Sequence, residues 1–580
     1  MLAALARRGQ FLRVQGIAEW PDGTVATRYT FIHDLYREIL YERVPAGQRV
    51  RWHRQVGLRL EAGYGVQAPE LPAELAEHFV RGRDMPRAVR YLSEAEETAL
   101  RRSAYHEAIR HLSRGLDLLP ELPDVPERTA QELHLNVALG AALTANKGFA
   151  AAKVGQAYTR ARELSRQVAD SPQLAPVLLG LWVYYHVRAE LQTAHELGEE
   201  LLRLAHRWHD PILRHQAHHA LGITSTDVGA FTQALEHLEQ AVALYTPEQH
   251  RTHTELSVYD TGAVCLAFAA HNLWYLGYPD QASRRNQEAL ALAETLAHPY
   301  TTAGTLCLAA LLASLRRDGQ QAEAWAEAMM ALSHDQGFPY MWAWGAVVRG
   351  WALSVQGQSH EGLDLLRQGL AAYGATGAAV LHTYWRLLHA EALGGAGDPE
   401  AALRSLDEAL ATIAGSGEHR SEAELYRLQG ELLQQLSEDK WPAGLTPEAC
   451  FRRAIELARH QQAKSLELRA TIRLSRLWQR QGKPQTARQL LSEIYDWFSE
   501  GFDTVDLQEA KRLGEELTAS REIRRVRQHH AGERTLHPCG SARIRSRVLR
   551  LLQYTDQPER LLSQADRAAI SDTSQGWNHR

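Results

Sequence analysis

Hydrophobic positions recur along most of this chain with the period of an α-helix. Between Thr383 and Ile413, Ala402, Leu406, Ala409 and Leu410 fall at i, i+4, i+7 and i+8, one apolar stripe on a helix. Ala390 and Leu393 mark a helix before it. Gly397 lies where a left-handed C-cap is expected, Asp398 is a good N-cap, and Pro399 fits the first helical position, where no N–H is needed. The stretch therefore predicts two short helices joined by a tight turn, with small residues at the crossing.

The same frame repeats along the chain. Gly350, Leu353, Gly357, Gly362 and Leu366 follow it, as do Ser475, Trp478, Gly482, Pro484, Ala487 and Leu491. Gly222, Gly229, Phe231, Ala234 and Leu238 form another copy, and so do Ala270, Gly277, Pro279, Ala282 and Ala289. Leu312, Gly319, Ala324 and Ala328 give a looser one, and earlier copies centre on Ala88, Ala108 and Ala194. Most steps are about 40 residues, against roughly 34 for the standard tetratricopeptide repeat, whose pattern of small residues, turn Gly and apolar positions this resembles. The expected fold is all-α: a tetratricopeptide-like α-solenoid, a right-handed superhelix of helical hairpins.

The first residues have a different texture. Phe11–Val14 and Ala26–Phe31 read as strands that pair across the Pro21-Asp22-Gly23 turn. Two helices follow, one with Leu35, Ile39 and Leu40 on a face and one running from about Gln48 to Glu61. A hairpin beside helices is the make-up of a partial winged-helix unit. The expected boundaries are 1–66 for this segment, 67–518 for the solenoid, and 519–580 for a basic, irregular tail. From Arg521 onward the chain has 12 arginines, 6 acidic residues and no lysine.

Phe31-Ile32-His33-Asp34-Leu35 resembles the Met-His-Asp motif in the winged-helix domain of STAND-type signal-transduction ATPases. The longer run from Phe31 to Gly65 and the segments YRLQGELL and GFDTVDLQEAKRL are similar to bacterial predicted ATPases of that type. Some of these carry an adenylate or guanylate cyclase domain upstream, and others act as transcriptional regulators. The resemblance implies that His33 is the counterpart of a residue that senses the phosphates of bound ADP. It implies that ATP or ADP and Mg belong to an upstream parent domain. The name-giving Met is absent here, and a histidine at a helix start also reads as an N-cap.

Composition narrows the function. No GxxxxGK[ST] phosphate loop is present; the Gly482-Lys483 pair runs into Pro484 inside a repeat turn. No cyclase-like segment follows either, so this chain by itself is expected not to be an enzyme and to hold no cofactor. The formal net charge of -5 offers no basic field for nucleic acid. Cys265, Cys307, Cys450 and Cys539 are far apart, as in a reducing compartment, and no apolar run is long enough for a bilayer. A cytoplasmic location and no membrane partner are expected. His215 and His219 share a helix face, but no further ligand accompanies them and no metal site is assigned.

In this repeat architecture the first helix of each pair lines the concave face. The frame places His271, Trp274, Arg316, Trp344, Trp351, Tyr384 and Glu391 there, and they are the candidate groove for a protein or peptide partner; the same aromatics also fit an inter-repeat core. The function expected is a protein–protein interaction and signal-sensing scaffold, the regulatory arm of an ATPase- or cyclase-type signalling protein. Two alternatives are a fragment of an ATP-binding enzyme whose catalytic domain lies upstream, and the sensor arm of a transcriptional regulator.

Overall fold

The computed structural model describes residues 2–65, 71–102, 104–167, 173–250, 252, 254 and 258–533, with side chains through 519. The chain divides into two units, Met1–Gly514 and Glu515–Arg580. The solenoid and its cavities belong to the first. Cys539 and the tail beyond 533 lie outside the described residues.

A short helix α1 (Leu2–Arg8) precedes strands β1 (Leu12–Glu19) and β2 (Val25–Phe31). The strands pair antiparallel from Leu12↔Phe31 to Glu19↔Val25, with a bulge between Val14 and Gly16. The turn docks on a later helix, α3 (Ala46–Tyr64), through Arg59 to Asp22 at 2.7 Å and Trp20 against Tyr64 at 5.9 Å. Between hairpin and α3 lies α2 (Asp34–Glu42). The hairpin and following helices are where the pattern puts them.

Helices then alternate. They are α4 (Pro72–Arg81), α5 (Met85–Arg101), α6 (Tyr105–Leu118), α7 (Pro126–Lys147) and α8 (Ala152–Ser165). Next come α9 (Leu174–Val187), α10 (Leu191–Trp208), α11 (Pro211–Asp227), α12 (Phe231–Leu244), α13 (Thr261–Leu276) and α14 (Pro279–Leu296). They continue with α15 (Pro299–Leu315), α16 (Gly319–Gln336), α17 (Pro339–Val355), α18 (Ser359–Ala375), α19 (His382–Gly395) and α20 (Pro399–Ser416). The last are α21 (Glu422–Leu433), α22 (Pro447–His460), α23 (Lys464–Arg480), α24 (Pro484–Tyr495) and α25 (Val505–Glu533). The helix α25 runs past residue 518, where the irregular tail was expected to begin.

The caps follow from the residues. Asp398 caps α20 by accepting from the Ala401 N–H at 3.0 Å, and Pro399 is its first residue. Gly397 takes φ 88°, the left-handed conformation a Cβ disfavours. Crossings are made by small residues: Ala88, Ala108, Ala194, Ala234, Ala282, Ala402 and Ala487 are buried. At the closest approach, α17 on α18, a Cβ on Gly362 would sit 2.5 Å from the Gly350 carbonyl oxygen. One copy departs from the expected register. Arg317, not Gly319, takes the left-handed turn at φ 63°, and Gly319 begins α16. The buried crossing residues there are Ala322 and Ala326, while Ala324 and Ala328 face outward.

Candidate functional site

The first helices of successive pairs do line the inside of the superhelix, but the inside is not an open groove. The chain winds tightly enough that one winding touches the next. The Val187 carbonyl, at the end of α9, accepts from the N–H groups of Ala379 at 2.8 Å and Val380 at 3.0 Å. The Asp227 carbonyl, at the end of α11, accepts from Arg420 N–H at 3.1 Å. Ser465 Oγ donates to the Trp274 carbonyl at 2.5 Å across 191 residues. Further along, Glu500 Oε1 accepts from the Asp280 and Gln281 N–H groups at 3.0 and 3.1 Å.

Inside this closure lies a cavity of about 100 Å³. Its walls come from α9, α11, α13, α15 and α17, from Phe149 before α8, and from Val380, Leu381 and Arg420 of the next winding. The lining is nearly all apolar and rich in aromatic rings. Phe149 meets Tyr300 edge-on at 6.1 Å and Tyr340 at 5.8 Å, and Tyr340 meets Trp344 at 5.7 Å.

One end of the cavity is polar and fully paired. His186 Nε2 lies 2.7 Å from Asp227 Oδ2, and its ring stacks on Trp182 at 5.4 Å. The buried Arg420 donates to Asp227 Oδ1 at 3.2 Å, to the Tyr275 hydroxyl at 3.1 Å and to His271 Nδ1 at 2.8 Å. Since a guanidinium only donates, His271 accepts at Nδ1 and gives its Nε2–H to the Leu308 carbonyl at 2.8 Å. Burial, then the Arg420 charge, push the His271 pKa down to about 3, so the ring is neutral. Nearby Glu418 accepts from the Thr383 hydroxyl at 2.7 Å; burial, then Asp227, push its pKa up to about 8.

A second cavity, of about 80 Å³, is built from charge. Arg427 meets Glu424 at 2.6 Å and Glu431 at 2.8 Å, and Arg469 meets Asp506 at 2.7 Å. Arg473 pairs with Glu431 and, at 2.5 Å, with Glu509, which also takes Arg317 and Arg476 at 3.3 Å each.

The expected groove residues are distributed between these interiors. His271, Trp274, Trp344, Trp351 and Tyr384 are buried, while Arg316 and Glu391 are half-buried. An open concave face is thus replaced by one the next winding covers. Trp344 walls the apolar cavity, and His271 sits behind its polar end. Tyr384 and Glu391 line the charged cavity; the Tyr384 hydroxyl is 2.8 Å from Ser314 Oγ, and Glu391 accepts from Trp351 Nε1 at 2.9 Å. Trp274 lies under the Arg469 guanidinium at 4.8 Å, and Arg316 reaches Ser283. His33 is exposed and N-caps α2, its Nδ1 accepting from the Leu35 N–H at 3.1 Å. His215 bonds to the Ala241 carbonyl and the Thr261 hydroxyl, and His219 approaches the Tyr259 hydroxyl. Among the described residues no group of three or more His, Cys, Asp or Glu is placed to hold a metal ion.

Sequence reasoning missed Phe149, His186, Asp227, Tyr300, Tyr340 and Arg420. Asp227 and Arg420 are 193 residues apart, and no local spacing joins them. The one visible signal was the charged triplet Glu418-His419-Arg420 in a loop between apolar helices.

No protein-family model matches the chain. An uncharacterized protein of Rhizobium meliloti (strain 1021) is 24% identical over 447 residues, which cover 77% of this chain and 43% of that protein. The chain thus spans less than half the length of the curated relative it matches. Among solved structures, a Rap protein complexed with competence and sporulation factor aligns at 14% identity and a TM-score of 0.48, over 65% of this chain and 99% of that one. Apo RapI aligns at 13% and 0.39, over 50% and 98%. Yeast Tom70 aligns at 12% and 0.29, over 83% and 98%.

Proposed function

We propose that this chain is the interaction and signal-sensing arm of a larger signalling protein, and that its N-terminal segment is the seam to the rest. One observation carries this reading. Large apolar side chains are exposed throughout residues 11–58: Ile17 at 77%, Val25 at 63%, Val14 at 57% and Leu35 at 52%, with Ile39, Leu40, Trp52 and Val56 beside them in sequence. Soluble surfaces rarely carry so much apolar area without a partner. The solenoid from α4 to α24 exposes few such residues, so the apolar surface is local to this segment.

The partner that fits is a domain encoded directly upstream, of the ATPase or cyclase type, with His33 turned to its nucleotide. A nucleotide and Mg would belong to that domain, and the arm would carry no catalysis of its own. A protein or peptide partner reaching the concave residues would require the contacts between windings to open. No helix among the described residues is long and apolar enough to cross a membrane.

The test is reconstitution. The segment encoded upstream of Met1, produced separately, should bind the chain with micromolar affinity or better. Ile17→Asp and Leu35→Asp should each weaken that binding at least tenfold without changing the melting temperature. Absence of an upstream reading frame, or an upstream segment that does not bind, would overturn the reading; its sequence identifies the output as ATPase, cyclase or DNA-binding.

A further inference from the structure

The N-terminal segment meets the solenoid where α3 packs on α4 and α5, and the hold is thin. In α3 the buried residues are Gly57, Leu60 and Gly63. Leu60 packs with Leu75, Phe79 and Tyr91 in a cluster apart from the main core. The rest of the joint is polar. Glu61 meets Arg87 at 3.1 Å, Arg90 at 2.5 Å and the Tyr91 hydroxyl at 2.8 Å, and Arg54 lies 3.6 Å from Asp84. Three half-buried side chains add a line of hydrogen bonds across three helices. The Tyr41 hydroxyl of α2 is 2.8 Å from His53 Nε2 of α3, and His53 Nδ1 is 3.0 Å from His78 Nδ1 of α4.

A bond between two Nδ1 atoms needs a proton on one ring and a lone pair on the other. The neutral pair supplies this, and so does a pair with one extra proton. A second extra proton sets N–H against N–H and charge against charge. We propose that this joint is an acid release: the imidazole pair holds at most one extra proton while α3 is seated on α4, and a second frees the N-terminal segment from the solenoid. The surrounding charges do not relieve the conflict. Glu77 of α4 is already taken by Arg81 at 2.5 Å and by Arg114 of α6 at 3.6 Å. Arg49 and Arg81 lie over the Tyr41 ring at 5.2 and 5.9 Å, and Glu74 favours a charge on His78. Burial, then the facing ring and Arg81, lower the His53 pKa; burial lowers that of His78 against the pull of Glu74. In the open joint each ring titrates at about 6.5, so the open form takes a proton the closed form refuses, and the joint weakens as pH falls below that value. Glu61 keeps its charge there: burial raises its pKa, but bonds from Tyr91 and Arg90 and the Arg87 charge outweigh this and hold it below the usual value. A second imidazole pair, His218 and His237 at 3.0 Å, links α11 to α12, but those helices also bury Ile223, Phe231 and Leu238 in the main core. Helix α3 has no such hold.

The inference does not rest on an upstream partner, because the test uses the full chain alone. Hydrogen exchange is read at pH 7.5 and 5.5, corrected for the intrinsic rate, in α3 and in α23, which contains no histidine. One imidazole refused its proton shifts the closing equilibrium about tenfold across that range. Wild-type α3 should therefore lose about tenfold more protection than α23. His78→Gln keeps an acceptor for His53 and removes the second charge, so its α3 should stay protected at pH 5.5. Equal losses in wild-type α3 and α23 would overturn the proposal, and that comparison needs no variant to fold. So would an α3 left unprotected at pH 5.5 in His78→Gln. The competing cause is protonation of His33, the N-cap of α2. An acid response abolished by His33→Asn, which keeps a capping side chain, would also overturn the proposal.

Discussion

The two cavities inside this superhelix solve one problem in opposite ways. Both lie where one winding covers the next. The first is walled by aromatic rings and holds a single buried ion pair, Asp227–Arg420, at its end. The second is filled by arginines and carboxylates that each touch several partners. A lone buried pair depends entirely on its partner, because either charge left alone is uncompensated. A network shares that risk.

The largest expected effect follows from that contrast. Arg420→Met leaves the Asp227 carboxylate with His186 alone and removes the guanidinium bonds to Tyr275 and His271, while the Arg420 N–H to the Asp227 carbonyl remains. Urea unfolding should show a loss of about 3–5 kcal/mol. The paired replacement Asp227→Leu with Arg420→Met should recover much of it. A loss under about 1 kcal/mol for the single variant would erase the distinction between the cavities.

The next effect is a pH slope. Glu418 is held as the neutral acid, with its pKa pushed up to about 8 by burial and by Asp227. The folded chain therefore keeps a proton that the unfolded chain gives up near pH 4.5, and stability falls as pH rises until about 8. His271 works in the other direction: its pKa is pushed down to about 3, so stability falls as pH drops from about 6.5 toward 3. Between pH 6.5 and 8 only Glu418 of the two changes. Wild type should lose about 1 kcal/mol per pH unit there relative to Glu418→Gln. Parallel stability curves for the two proteins would show that Glu418 is ionised at the junction.

The smallest effect belongs to the network. Arg473→Met leaves Glu431 with Arg427, and Glu509 with Arg317 and Arg476. The expected loss is about 1 kcal/mol, read by the same urea titration. A loss as large as that for Arg420→Met would mean the network does not share its charge.

Much of the fold was legible because its signals are local. Asp398, Pro399 and Gly397 each specify a cap or a turn by their own chemistry, and Ala402 marks its crossing by size. The register slipped at Arg317 because the left-handed residue there is not a glycine, and Gly319 two positions on looked like one. The interior was not legible. How far a solenoid winds per repeat is the sum of small rotations at every crossing, and no residue encodes that sum. Whether Trp351 or Tyr384 faces solvent or the next winding depends on it.

The clasps between windings also set a clock for synthesis. In an ordinary solenoid each repeat needs only its neighbour, so it can settle as it emerges. Here the Asp227 carboxylate must wait for Arg420, 193 residues later. At about 5–20 residues per second that is roughly 10 to 40 s on the ribosome. During that interval the apolar walls around Trp182 and Phe268 have no lid, and the nascent chain carries its stickiest surface uncovered. Folding of this arm is therefore a long-range event, slower than its helix content would imply, and its early half is the part a chaperone would have most reason to hold.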